Sequence, residues 1–235
     1  MNAVVLAAGR GTRLEEAGIG VPKPLVPVAG RTALDRVLDG LDAAGIDRTF
    51  VVTGHRAEEV EAHLLGRDGV VCVRQRDQLG TADAVLVVAN LAPPEPFLVT
   101  WADVIVRPDQ YGAIVSGAEG ADGSLAVNTL EKVSAGAAVI IRDGLVREII
   151  EKPARGSVTT SWNSSGLFVL GPAIWPHIAT ATLSRRGEIE LPGAIQTWID
   201  AGASVRAVPI TGYWFDVGTP ETLAAASASL LDQSE

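Results

Sequence analysis

A small-residue turn followed by two cations is the part of this chain whose residue types best suit phosphate chemistry. The turn, Ala7–Arg13, follows an apolar run. Its small residues let backbone N–H groups approach an anion closely. A second cation, Lys23, lies between Pro22 and Pro24, and these prolines restrict the backbone that aims its side chain. The pattern predicts a phosphate-binding loop.

Three well-known site motifs are absent from the sequence. The Walker A spacing GxxxxGK[ST] does not occur, and the loop lacks the third glycine of GxGxxG. No serine lies in a G-x-S-x-G elbow, and no histidine has an acid or cysteine partner at catalytic spacing. The loop is therefore of another class, and a hydrolase has no support.

The segments LAAGRGTRL and PKPLVPVAG resemble the signature of the sugar-1-phosphate nucleotidylyltransferases. This resemblance implies that Arg13 holds the β- and γ-phosphates of a nucleoside triphosphate and that Lys23 bridges the reacting phosphates. Only seven residues separate Leu14 from Pro22, so the loop over the triphosphate is short for the family. The nucleotide-binding residues implied in this region, with the first four lining base and ribose, are Leu6, Ala7, Ala8, Gly9, Gly11 and Thr12.

A second segment, QRDQLGTADAV, resembles the base-reading segment of the pyrimidine-using members. The amide of Gln75 both donates and accepts hydrogen bonds, so it can pair with the edge of uracil or thymine. Gly80 would let the backbone approach the ring, and Thr81 would cap the next helix. The segment predicts a preference for UTP or dTTP, although outside this context a surface glutamine is the simpler interpretation.

Two aspartates in distant segments are the candidate metal ligands. Asp103 follows an apolar strand in VTWADVIV, and Asp216 precedes a turn and a helix in GYWFDVGTPETL. The resemblance implies that both bind Mg²⁺, a cation that prefers oxygen ligands. Family members usually have glycine where this chain has Ala102. Taken alone, Asp216 equally suits a turn or cap residue.

Three further segments resemble the sugar-binding end of the family: EIIEKP, RRGEIELPGAI and NSSGLFVL. The resemblance implies that Glu151 accepts sugar hydroxyls, that Lys152 holds a phosphate and that Arg186 binds the sugar phosphate. Counting back from the glycine of the third segment puts Ser164, not Asn163, at the usual asparagine position.

Short β-branched runs alternate with amphipathic stretches through the first half, which predicts parallel strands joined by helices. Together with the resemblance this gives an α/β fold, a Rossmann-like (GT-A-like) three-layer sandwich with a mainly parallel central sheet and a smaller sugar-facing β lobe. Ligands are expected outside the carboxyl ends of the strands. Residues 1–235 are expected to form one catalytic domain, with a nucleotide-binding half (about 1–110) and a sugar-binding half (about 111–235).

Composition limits the class of protein further. The chain is 47% apolar, and its net charge of −9 disfavours nucleic-acid binding. No apolar run approaches the roughly 18 residues of a membrane span, and the first ten residues lack the pattern of a secretory signal. The single cysteine, Cys72, fits a reducing compartment. We therefore expect a cytoplasmic protein without nucleic-acid or membrane partners, and no attached β-helix acyltransferase.

The sequence thus predicts a Mg²⁺-dependent enzyme that uses a nucleoside triphosphate and a sugar 1-phosphate to make a nucleotide sugar and pyrophosphate. One alternative is a cytidylyltransferase for a non-sugar phosphate, such as an alditol, inositol or choline phosphate. Another is a non-catalytic sensor that keeps the nucleotide pocket. The sugar and the oligomeric state stay open.

Overall fold

A computed structural model of the chain describes residues 1–91, 95–130 and 136–232. Within these ranges helices and strands alternate as an α/β fold. The strands are β1 (Asn2–Ala7), β2 (Pro27–Val28), β3 (Arg31–Thr32), β4 (Arg48–Thr53), β5 (Val70–Arg74), β6 (Phe97–Trp101), β7 (Val104–Val106), β8 (Gly123–Thr129), β9 (Ala137–Arg142), β10 (Leu145–Glu151), β11 (Trp162–Leu170), β12 (Val205–Pro209) and β13 (Trp214–Asp216). The helices are α1 (Thr12–Glu16), α2 (Ala33–Ala43), α3 (Ala57–Leu64), α4 (Thr81–Leu86), α5 (Asp109–Gly117), α6 (Trp175–Ala179), α7 (Leu191–Asp200) and α8 (Pro220–Asp232).

The first half of the central sheet positions the phosphate-binding loop. Its strands lie in the order β5-β4-β1-β6, and all three neighbouring pairs are parallel. In such an order the connections leave β1 and β6 in opposite directions, which opens a crevice at their carboxyl ends. The turn after β1 and the residues after β6 both lie at this crevice.

The second half of the sheet is mostly antiparallel, so the predicted parallel pairs are concentrated in the first half. Strand β11 runs antiparallel to both β6 and β8, and β10 runs antiparallel to β9 and β12; only β8 and β12 are parallel. The length of the connection between two strands decides whether they can pair in parallel. Parallel neighbours need a long crossover, whereas β9 and β10 are joined by the two-residue turn Asp143-Gly144, in which both residues have positive φ.

Helices cover both faces of the sheet, which confirms the predicted three-layer arrangement. Alternate residues of β1 face opposite ways, since Val4 packs in the core shared with α4, α6 and α7, whereas Val5 packs in the core shared with α2, α3 and α5. A third, smaller core joins α8 to β2, β7 and β13. Among the described residues, none of the helices is long and apolar enough to cross a membrane.

Candidate active site

The turn after β1 packs directly against the lysine that follows it. Gly11 adopts a left-handed backbone with φ of 67°, and a Cβ placed there would lie 2.7 Å from Cβ of Lys23. Lys23 opens a short 3-10 turn, and Pro22 precedes it in an extended conformation. Only glycine meets both the backbone and the space requirement at position 11. The loop and the lysine therefore form one unit.

The ammonium group of Lys23 lies between two carboxylates. It forms an ion pair with Asp103, and its Nζ is 3.8 Å from Oδ1 of Asp216. Burial alone would lower the pKa of Lys23, but the charges of the two aspartates outweigh it and the pKa is raised. The lysine thus carries its positive charge at the centre of the site.

A two-stranded ribbon brings the two aspartates together across more than a hundred residues of sequence. Strand β13 pairs antiparallel with β7 so that Asp216 lies opposite Val104, and the N–H of Val217 donates to the carbonyl of Asp103. Burial, followed by the neighbouring Asp103, raises the pKa of Asp216 to about 6. Two carboxylates held this close disfavour their own ionised forms, so a cation between them is stabilised.

The donor set at this point fits Mg²⁺. Its protein ligands would be the carboxylate oxygens of Asp103 and Asp216, whose mutual repulsion a divalent charge would relieve. Mg²⁺ is commonly held by one or two carboxylates, with water and phosphate oxygens completing its shell. Arg13 lies beside the same group, because a Cβ at Gly218 would be 3.0 Å from its guanidinium and 3.2 Å from Asp216.

A cavity of about 390 Å³, here called the loop cavity, opens beside the turn after β1. Arg13, expected to hold the β- and γ-phosphates, does not line it, but all but one of the other residues expected to bind the nucleotide do: Leu6, Ala7, Ala8, Gly9, Gly11, Gln75, Gly80 and Thr81. The exception is Thr12, which starts α1, is exposed and lines neither of the two cavities described here.

A second cavity of about 310 Å³, the β11 cavity, lies beside β11. It is lined by every residue expected to bind the sugar phosphate, namely Glu151, Lys152, Ser164 and Arg186, and also by Arg13, Trp214 and Asp216. Lys23 and Asp103 line both cavities. The two cavities therefore adjoin at the ion pair between these residues.

In the base-reading segment, the structure differs from the sequence prediction at Thr81. Thr81 is not the helix cap, because Gly80 occupies the N-cap position. The Thr81 hydroxyl instead accepts a 2.8 Å hydrogen bond from the N–H of Leu191, which joins α4 to α7. Gly80 also has a packing role, since a Cβ there would lie 2.4 Å from the carbonyl oxygen of Ile189. Long-range packing against the segment before α7 thus replaces the local cap.

Gln75 is buried, and its amide nitrogen is held by two acceptors. The nitrogen donates to the carbonyl of Gly80 at 3.1 Å and to Oδ2 of Asp83 at 2.7 Å. The side chain is therefore fixed at the wall of the loop cavity before any ligand arrives.

The β11 cavity contains an ion network around Arg186. The guanidinium lies 2.9 Å from Glu190, 3.4 Å from Glu151 and 3.6 Å from Glu188. Burial, followed by the charge of Glu190, raises the pKa of Glu151. The neighbouring Lys152 has a positive φ of 42°, which is uncommon for a residue with a side chain. The network holds Arg186 in place at the cavity wall.

The structure separates Ser164 from its neighbour Asn163. The register of β11 against β8 shifts between Ser164 and Phe168, and Ser164 lines the β11 cavity. Asn163 is buried, and its amide nitrogen donates to Oδ1 of Asn128 at 3.0 Å. The structure places Ser164, and not Asn163, at the cavity.

Sequence reasoning missed three charged residues at the cavities. Arg10 lines the loop cavity, is exposed and forms no ion pair with any described residue. Glu188 lines both cavities, and Glu190 lines the β11 cavity. Signals for all three were present. Arg10 lies between two glycines of the loop, and the glutamates belong to the segment that contributed Arg186.

Comparison with known proteins finds similarity along almost the whole chain. The nucleotidyl transferase family matches residues 2–233. A glucose-1-phosphate thymidylyltransferase from Streptomyces griseus is 32% identical over 243 residues, which cover 100% of this chain and 67% of that protein. The bifunctional protein GlmU of Methanococcus maripaludis is 29% identical over 234 residues, covering 99% of this chain. The chain spans only 55% of the length of that relative.

A solved structure of similar fold is a UDP-glucose pyrophosphorylase complexed with UDP-glucose. Its TM-score with this chain is 0.84 at 20% sequence identity, and the match covers 99% of this chain and 98% of the other. This likeness concerns the fold, and it agrees with the Rossmann-like arrangement of the first four parallel strands.

Proposed function

The chain belongs to the nucleotidyl transferase family, and on that premise we propose that it transfers a nucleotidyl group from a nucleoside triphosphate to a sugar 1-phosphate. The observation that carries this proposal is the meeting of two cavities at Lys23 and Asp103. A reaction between two phosphate-bearing substrates needs two adjoining sites with a cation where the reacting phosphates meet.

The nucleotide occupies the loop cavity, and the sugar phosphate occupies the β11 cavity. Small residues and backbone line the first, which suits close approach to a nucleotide. Carboxylates that accept from sugar hydroxyls, and cations that bind a phosphate, line the second. The first half of the chain thus holds the donor, and the second half holds the acceptor.

In the reaction, an oxygen of the sugar phosphate attacks the α-phosphorus of the triphosphate. The bond from that phosphorus to the bridging oxygen breaks, and its electron pair leaves with pyrophosphate. A phosphate monoester is already largely dianionic at pH 7, so no general base is required. Consistently, none of the three histidines lines either cavity.

The residues of this chain reduce the repulsion between the two anionic substrates. Lys23 lies at the junction of the cavities, where charge moves onto the leaving pyrophosphate. Arg13 lines the β11 cavity next to Asp216, from where it reaches the triphosphate at the junction, and Lys152 and Arg186 hold the acceptor. When Mg²⁺ is bound by Asp103 and Asp216, it supplies further neutralisation of phosphate charge.

An assay of pyrophosphate release tests the proposal. Each nucleoside triphosphate is combined in turn with glucose 1-phosphate, N-acetylglucosamine 1-phosphate, choline phosphate and an alditol phosphate. We expect turnover with UTP or dTTP and a sugar 1-phosphate. Turnover with CTP and a non-sugar phosphate would replace this function with the cytidylyltransferase alternative. Nucleotide binding without turnover in any combination would favour a sensor.

A further inference from the structure

The orientation of the Gln75 amide at the wall of the loop cavity is set by the Asp83 carboxylate together with the Gly80 carbonyl. We propose that Asp83 selects uracil or thymine over cytosine by preventing the Gln75 amide from flipping, that is, from exchanging the positions of its oxygen and nitrogen. This inference rests on the proposed function, in that the loop cavity takes the nucleotide.

Both contacts of the amide nitrogen are to groups that only accept hydrogen bonds. The Gly80 carbonyl is 3.1 Å away, and a carboxylate oxygen of Asp83 is 2.7 Å away. An ionised carboxylate has no hydrogen to donate. If the amide flipped, its oxygen would replace its nitrogen opposite both acceptors, and the side chain would lose both hydrogen bonds. The amide oxygen of Gln75 has no donor partner among the described residues, and Gln75 lines the loop cavity.

The cavity therefore presents a fixed acceptor to the edge of the base. Uracil and thymine carry a hydrogen on N3 that can donate to this oxygen. Cytosine has a lone pair on N3, which would face the oxygen without a hydrogen bond. A glutamine that is free to flip could bind both bases, because its nitrogen can donate to N3 of cytosine. Of the two acceptors that impose this orientation, Asp83 is charged and makes the shorter contact, and it has no role as a ligand of the base.

The change Asp83→Asn tests this without altering the shape of the side chain. An asparagine amide can donate as well as accept, so it can pair with Gln75 in either orientation. Titration calorimetry of wild type and variant with UTP and with CTP, in the presence of Mg²⁺ and without sugar phosphate, measures the two affinities. The matched control is Asp77→Asn, which removes the same charge from an exposed residue of the same segment that lines neither cavity.

We expect wild type to bind UTP at least about tenfold more tightly than CTP, because the free energy lost with one mismatched hydrogen bond corresponds to about this ratio of affinities. In Asp83→Asn this preference falls about threefold or more, chiefly through tighter CTP binding, because a flipped amide then keeps its partner at position 83 and loses only the 3.1 Å hydrogen bond to the Gly80 carbonyl. In Asp77→Asn the preference is unchanged. Tighter binding of CTP separates base selection from a general loss of structure, since damage to the cavity weakens both ligands.

Two results would overturn the inference. One is an Asp83→Asn variant that loses affinity for UTP and CTP equally. The other is a Gln75→Leu variant that keeps the wild-type preference, because the base would then be read elsewhere. If Asp83→Asn does not fold, Asp83→Ala releases the same amide and must also lower the preference. Pyrophosphate release assayed in parallel keeps the two proposals apart, since selective binding without turnover removes the proposed function and leaves this inference standing.

Discussion

The two cavities differ in how their linings are assembled. In the loop cavity, one continuous segment from Leu6 to Gly11 supplies six of the lining residues, and four of these six are alanine or glycine. In the β11 cavity, charged side chains are more numerous, and they come from the end of β10, from β13, from the segment before α7 and from Arg13, Lys23 and Asp103. The loop cavity therefore has one wall made by local sequence, whereas the residues of the β11 cavity are brought together by the tertiary fold.

This difference shows how specificity is divided along the chain. A backbone wall tolerates little change, because a residue such as Gly11 is required by both its φ and its contact with Lys23. A wall of side chains can change one residue at a time without changing the fold. We therefore expect substitutions in the β11 cavity to affect one substrate, and substitutions at the junction to affect the whole reaction.

The largest effect is expected at the junction. Lys23→Ala removes the cation between Asp103 and Asp216, and kcat should fall at least about a hundredfold, as when other preorganised charge stabilisers are removed. Steady-state kinetics with both substrates varied measures this, and a thermal unfolding curve shows that the variant is folded. The control is Arg48→Ala, since Arg48 is exposed, forms no ion pair with any residue that the structure describes and lines neither cavity. Turnover close to wild type would show that the junction is not the reacting centre.

The next effect concerns Asp216, the proposed metal ligand that lines only the β11 cavity. Asp216→Asn keeps one oxygen and the shape of the side chain but removes a charge, so apparent Mg²⁺ affinity should fall about tenfold. Part of the lost rate should return at high Mg²⁺. A Mg²⁺ titration of turnover measures this, with Asp143→Asn in the β9–β10 turn as the matched substitution. Superimposable titration curves for wild type and Asp216→Asn would mean that Asp216 is only a turn residue.

A smaller effect, restricted to one substrate, is expected from Arg186→Ala. A charged hydrogen bond contributes about 1.5–3 kcal/mol, so KM for the sugar phosphate should rise about tenfold or more while KM for the nucleotide is unchanged. Arg185→Ala is the neighbouring control, since Arg185 lines neither cavity. An equal rise in both KM values would indicate that the network with Glu151, Glu188 and Glu190 supports the fold instead of the acceptor.

The same contrast between local and tertiary structure explains what the sequence predicted and what it did not. The strand before the loop, the turn and the α/β alternation depend on residues close in sequence, so they were predictable. The closeness of Asp103 and Asp216 depends on the β7–β13 ribbon, and only the family resemblance suggested it. The antiparallel pairing of β11, the bond from Leu191 to Thr81 and the contact of Asp83 with Gln75 are long-range or side-chain features. The hydrophobic periodicity of the sequence does not indicate any of these features.

The smallest effect separates two neighbours on β11 that the sequence could not assign with certainty. Ser164 lines the β11 cavity, whereas the buried Asn163 donates to Asn128 and to the carbonyl of Ser164. A neutral hydrogen bond contributes about 0.5–1.5 kcal/mol, so Ser164→Ala should raise KM for the sugar phosphate about threefold. It should leave the free energy of unfolding unchanged, because the hydroxyl faces a cavity.

Asn163→Ala should do the reverse. Removing this buried side chain takes one of the two donors from Oδ1 of half-buried Asn128 and leaves a gap, which costs about 1–3 kcal/mol of stability, while KM for the sugar phosphate stays near wild type. Urea unfolding and steady-state kinetics on both variants give the four values needed. If Asn163→Ala raised this KM at full stability while Ser164→Ala had no effect, the acceptor would be bound by Asn163, and the β11 cavity would have to rearrange when its ligand binds.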